Sequence, residues 1–233
     1  MRRALGWAML LAAAAVALAA ALLAAPSVVH PDASGYRSEA ADAGGAFPEI
    51  DWEGLRLANP DIVGWVKVPG TNIDAPICQA RPDDPERYLQ TAYDGSPSRA
   101  GCPYLDATCE EKGFGSAMPI VLGHSLLDGS MLTDFKEMSD AGYADGHAEI
   151  MLMSPEGNRM LEVACAKVVD ADVAQKVTGV KDASAAADLL RAEEQDADVV
   201  RTPPKRAEQV FLFVTCSYQT GNSRTLVYAV QER

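Results

Sequence analysis

From residue 62 to residue 230 the chain keeps returning to one pattern, a short apolar run followed by turn residues. "IVGWVKV" (62–68) meets "PGTN", and "IDAPICQ" (73–79) follows. "MPIVLG" (118–123), "AEIMLM" (148–153), "RMLEVACAKVV" (159–169), "VFLFVT" (210–215) and "RTLVYAV" (224–230) complete the series. Such runs are mostly too short for helices, are rich in β-branched residues, and are bounded by Gly, Pro and Asn, so they read as strands. Helical signals are fewer. "FPEIDWEGLRLANPD" reads as a short helix ended by Asn59-Pro60, because proline disfavours helix just before it. "MLTDFKEMSDAG" sets Leu132, Phe135 and Met138 on one stripe, and "DASAAADLLRAEEQ" (182–195) is rich in Ala and Leu behind an acidic start. Many short strands with few helices predict a barrel or sandwich carrying helical insertions.

The N-terminus is built differently. Arg2 and Arg3 precede an uncharged apolar run from Ala4 to Ala25. Its length suits one membrane crossing, which takes roughly 20 residues. The arginines favour a cytoplasmic N-terminus with the remainder outside the cell. A cleaved signal peptide is the competing reading, although its apolar core is usually only about 7–15 residues. Residues 26–46, rich in Ala, Ser, Asp, Gly and Pro, read as a flexible tether, and 47–233 as the exported domain. That organisation predicts a single-pass protein of the cell membrane.

All 33 acidic residues lie beyond residue 25, and the formal net charge is −13. An acidic surface argues against nucleic acid as a partner. Cysteines stand at 78, 102, 109, 165 and 216. Their odd number leaves at least one without an intramolecular partner. Spacing lets Cys102 and Cys109 close a short loop, though spacing does not decide it.

Cys216 ends one apolar run and Arg224 begins the next, with "SYQTGNS" between them. If the two runs are antiparallel neighbours, thiol and guanidinium share one end of a sheet. A thiol needs a base to act as nucleophile, and the base is usually histidine. His30 lies in the tether and His147 in a turn; His124 closes "PIVLGH" at a strand end. Cys, His and Arg at three strand ends can form a nucleophile, its acid/base partner and an oxyanion donor. Each also has a plainer reading, as a buried thiol, a turn histidine and a surface ion-pair partner.

The segments "VTCSYQTGNSR" and "IVLGHSLLDGSMLTDF" resemble the cysteine and histidine signatures of class B sortases. "NPDIVGWVKVPGTNIDAPICQ" resembles that class's entry into its first strands, and "AGCPYLD" its segment before the histidine strand. The resemblance runs from about Leu55 to Val230 and includes the helical stretch 182–195. It implies a mostly β fold, a closed sortase β-barrel of about eight strands with N-terminal and peripheral helices. It also implies transpeptidation, with Cys216 as nucleophile, His124 as acid/base and Arg224 as oxyanion donor. The substrates would be sorting-signal peptides of secreted proteins, and the acceptor an amine of a cell-wall precursor or a pilin lysine. Thr215 resembles the family's Thr before the nucleophile. Asp74, Cys78, Val214 and Ser217 fall where the family lines its substrate groove.

No cofactor and no metal is implied. Ser125, Cys102, Pro103 and Cys78 depart from the family pattern, which bears on substrate preference. Papain-like peptidases order Cys before His, the reverse of this chain. L,D-transpeptidases carry Ser-x-Gly-Cys, and "FVTC" lacks that glycine. A catalytically inactive sortase-like binding module remains an alternative.

Overall fold

A computed structural model describes residues 30–39, 46–171, 180–201, 207–217 and 221–232. The seven expected strands all form. They are β1 (Ile62–Lys67), β2 (Asp74–Gln79), β4 (Ile120–Gly123), β5 (Glu149–Met153), β6 (Arg159–Asp170), β8 (Ala207–Ser217) and β9 (Ser223–Glu232). Two further strands, β3 (Tyr104–Leu105) and β7 (Val199–Val200), are only two residues long and leave no pattern in the sequence. The sheet runs β5-β1-β2-β3-β4-β8-β9-β6-β7, and β5 also pairs with β6. That pairing closes eight strands into a barrel and leaves β7 as an addition to β6. Closure removes the exposed edges of an open sheet.

Alternation sorts each strand between the barrel interior and its outer face. Phe211 and Phe213 of β8, Val227 and Ala229 of β9, and Val121 of β4 point inward into one buried cluster. On β6 the inward set is Leu161 and Val163, then Ala166. A bulge between Val163 and Cys165 reverses the parity and turns Cys165 outward. Phe213 stacks near Phe135 with ring centroids 5.0 Å apart.

The outer face is covered by two smaller layers. Helix α1 (Trp52–Ala58) starts at Asp51, whose carboxylate accepts from the Gly54 N–H at 2.9 Å, and it packs Leu55 against Trp65, Tyr88 and Met153. Helix α3 (Ala183–Glu193) is capped by Asp182 and buries Ala186 and Leu190 against Leu212, Leu226 and Tyr228. Helix α2 (Ala141–Gly146) is capped by Asp140. The stripe Leu132, Phe135, Met138 forms, but over Thr133–Ser139 the chain is a 3₁₀ helix. Its apolar residues recur every three positions, the 3₁₀ period, so that conformation aims all of them inward.

The expected tether over 26–46 differs where it is described. Residues 30–39 lie on the barrel as a strap. Arg37 bridges to Ile50, the Tyr93 hydroxyl donates to the Asp32 carbonyl at 3.1 Å, and Tyr36 meets the Tyr93 ring edge-on. The anchor or signal segment, 1–25, lies outside the described residues; no described helix is long and apolar enough to cross a membrane. All five cysteines are free thiols, so no Cys102–Cys109 bridge is present. Phe213→Ala should lower unfolding free energy by about 3–5 kcal/mol through loss of burial and a residual cavity, measured by denaturant titration.

Candidate active site

Two backbone ladders bring the three chemical groups together. Strands β4 and β8 pair in parallel with Gly123 opposite Thr215. The next residue on each strand is His124 and Cys216. Strands β8 and β9 pair antiparallel with Cys216 opposite Arg224. His124, Cys216 and Arg224 therefore form one row across three adjacent strands, whose spacing is about 4.8 Å. Parity puts all three on the outer face, in line with Leu122, Val214 and Leu226. The sulfur is central, with the imidazole on one side and the guanidinium on the other.

The mouth of the row is held by hydroxyls. Thr215 is buried, and its hydroxyl donates to the Gly123 carbonyl at 3.1 Å, fastening β8 to β4 one residue below the site. The Ser217 and Ser223 hydroxyls meet at 2.9 Å across the β8–β9 ladder, and Ser223 also donates to the Ser217 carbonyl. Gly123 admits no side chain, because a Cβ there would sit 2.8 Å from Leu132 Cγ. The loop after His124 folds back on itself. The Leu132 N–H donates to the His124 carbonyl at 3.0 Å, the Leu126 N–H to the Thr133 hydroxyl at 2.7 Å, and Ser125 bridges to Met131.

His124 Nε2 lies 2.8 Å from the Leu89 carbonyl oxygen. A carbonyl only accepts, so Nε2 carries the proton, and Nδ1 is left to exchange a proton with the thiol. The Cys216 thiol is half-buried while the other four thiols are buried. The neighbouring His124 imidazole pulls its pKa below the usual thiol value; burial opposes that, and the Arg224 charge assists. The Cys216 thiol in turn raises the His124 pKa, against burial and with help from the Leu89 carbonyl. Both shifts favour a thiolate–imidazolium pair. Arg224 Nη1 donates to the Ala171 carbonyl at 3.4 Å, which leaves the rest of its fork for other acceptors.

The groove residues expected from sequence scatter. Val214 is half-buried beside Leu122, directly below the Cys216 level. Thr215 and Ser217 are buried supports of the row. Asp74 is engaged elsewhere: Trp65 Nε1 donates to it at 2.7 Å, Lys67 Nζ at 3.2 Å, and Arg37 lies 2.9 Å away. Cys78 is fully buried among Leu55, Trp65 and Tyr104, so it presents no surface to a substrate. Two participants carried no signal as site residues. The Leu89 carbonyl is a backbone group. Tyr104 is buried close enough to Arg224 and Cys216 for both to act on its phenol, whose pKa burial raises. Among the described residues no group of three or more His, Cys, Asp or Glu is placed to hold a metal ion.

The fold is that of class B sortases. Sortase B of Clostridium perfringens superposes with a TM-score of 0.66 at 21% identity, over 78% of this chain and 99% of that one. By sequence the chain is 31% identical over 109 residues to Sortase B of Listeria monocytogenes, covering 47% of this chain and 43% of the relative. Sortase B of Staphylococcus aureus is 27% identical over 112 residues, 48% of this chain and 45% of the relative. The aligned part thus spans less than half the length of these curated relatives. No family model matches the chain.

Two expectations follow. His124→Ala should move the pH midpoint of Cys216 alkylation upward, toward the ordinary thiol range near 8.5, because the largest contribution lowering it is gone. An unchanged midpoint would mean the imidazole does not polarise the sulfur. Asp74→Asn should cost about 1–3 kcal/mol in denaturant unfolding, since Lys67 and Arg37 lose their shared anion, while Cys216 alkylation stays as it was.

Proposed function

We propose that this chain is a cysteine transpeptidase of the class B sortase type, held at the outer face of the cell membrane by residues 1–25 with its N-terminus in the cytoplasm. The observation that carries the reading is the single row of His124, Cys216 and Arg224 on the outer face of the barrel. The substrate is a sorting-signal peptide near the C-terminus of a secreted protein, cleaved after a Thr. The acceptor is an amine of a cell-wall precursor or a pilin lysine.

Cys216 thiolate attacks the Thr carbonyl carbon. The carbonyl oxygen becomes an oxyanion, and Arg224, one strand over, supplies charge-assisted donors to it. As the C–N bond breaks, the leaving amine takes a proton from the His124 imidazolium. A thioester to Cys216 remains. The acceptor amine attacks that thioester and gives its proton back to His124. The new amide leaves, and the thiolate–imidazolium pair is restored. Two features support this cycle: both members of the pair are biased toward their charged forms, and the Leu89 carbonyl holds the ring through Nε2, leaving Nδ1 for proton exchange.

The test is mass spectrometry of the full chain with a library of sorting peptides and amine acceptors. We expect a thioacyl adduct on Cys216 and a transpeptidation product, both absent from Cys216→Ala. Arg224→Ala should lose on the order of 10²–10³ in kcat. Turnover by Cys216→Ala would remove the thiol from the reaction. Absence of any adduct across the library would favour an inactive binding module.

A further inference from the structure

Two cysteines that the reaction does not use face each other beneath the site. Cys78 Sγ and Cys102 Sγ are 3.7 Å apart, and both residues are buried. Cys78 stands on β2, and Cys102 immediately precedes Pro103 and β3. The Cys78 N–H donates to the Pro103 carbonyl at 3.0 Å, so main-chain bonding fixes the two segments side by side. Around them, Asn59 Nδ2 lies 3.8 Å and the Tyr93 carbonyl 4.0 Å from Cys78 Sγ, and the Cys102 thiol is also within reach of the Pro76 and Pro103 carbonyls.

We propose that Cys78 and Cys102 are a dithiol/disulfide site whose redox state is read by the His124 ring. The two cysteines are the two ends of the segment 78–102, and that segment carries Leu89, whose carbonyl holds His124. The linkage is mechanical and short. The Cys102 N–H donates to the Tyr88 carbonyl at 2.9 Å. Gly101, at φ 65°, lies so close that a Cβ on it would sit 2.3 Å from the Tyr88 carbonyl oxygen and 3.1 Å from the Leu89 oxygen. Closing the sulfurs from 3.7 Å to the bonded distance of about 2.05 Å re-sets the Cys102 side chain next to backbone that is packed against the Leu89 carbonyl, and any backbone share of that movement is passed to Leu89.

The oxidation balances as thiol–disulfide exchange with an external disulfide R–S–S–R. One cysteine thiolate attacks a sulfur of R–S–S–R and releases the first R–SH. The second thiolate then displaces the second R–SH and forms the Cys78–Cys102 bond. Two thiols are oxidised, one disulfide is reduced, and both protons end on R–SH. Burial raises the Cys102 thiol's pKa well above the usual range, which slows attack in the folded chain. The bond accordingly forms most readily while the β2–β3 region is still assembling. An exported protein folds where such oxidants are found.

The proposal does not require the transpeptidase reading, and its first test uses no substrate. The full chain is refolded in a reduced/oxidised glutathione mixture, its remaining thiols are alkylated, and it is digested without reduction. We expect a peptide pair joined through Cys78 and Cys102 and lighter by two hydrogens. Both residues recovered alkylated, or a Cys102–Cys109 bridge in their place, overturns the site. The second test follows the His124 ring resonances by NMR against pH in the Cys216→Ala chain, whose active-site thiol cannot itself be oxidised. Oxidised and reduced forms should differ, and Cys102→Ala should erase the difference. Superimposable titrations of the two forms overturn the coupling. Should Cys102→Ala fail to fold, the unaltered pair of cysteines still decides both points.

Discussion

The chemistry of this protein depends on the register between three strands. Side chains change face with every residue along a strand, so a slip of one position on β8 would turn Cys216 inward and Thr215 outward. The ladder sets Gly123 beside Thr215 and Cys216 beside Arg224, and with that the three functional groups share a face. The register is fixed by more than the chemistry it serves. Phe211 and Phe213 have to enter the barrel interior, which forces Leu212, Val214 and Cys216 outward. The row of Cys, His and Arg is thus a consequence of core packing. The Thr215 hydroxyl adds a local fastening at the level where register matters most.

The same logic explains why the supports of the site are themselves buried. At the mouth of the barrel Ser217, Ser223 and Thr215 bond to one another or to the backbone. Among the described residues, the His124 ring is held from outside the pair by a carbonyl on the neighbouring 78–102 segment. The ring's position is therefore set by a different part of the fold from the one that positions the sulfur. That division gives a change between Cys78 and Cys102 a route to the imidazole that does not run through the strand carrying Cys216.

Much of the fold was readable because strand alternation and turn chemistry are local. What failed to show was short, mixed or mediated by the backbone. Two-residue strands such as Tyr104–Leu105 have no period to read. The strap at 30–39 looked like linker because its polar composition hides contacts made by single groups, the Tyr93 hydroxyl and the Arg37 guanidinium. Cys216, His124 and Arg224 were legible as candidates, and a family resemblance ranked them, but spacing along the chain carries no information on distance in space. The groove residues were less legible. Asp74 and Cys78 sit in a strand whose partners, Trp65 and Tyr104, decide what each side chain meets. The cysteines make the same point: proximity in sequence allowed Cys102 with Cys109, while the barrel sets Cys102 against Cys78.

A sulfur–imidazole pair biased toward its charged form is the claim on which the account stands. The most direct measurement is the ¹³Cβ shift of Cys216 followed by NMR from about pH 4 to pH 10, a span that brackets ordinary imidazole and thiol titrations. The account predicts a thiolate signal that appears below the ordinary thiol midpoint and changes in step with the His124 ring. A single transition at the ordinary thiol value, independent of the imidazole, would contradict it.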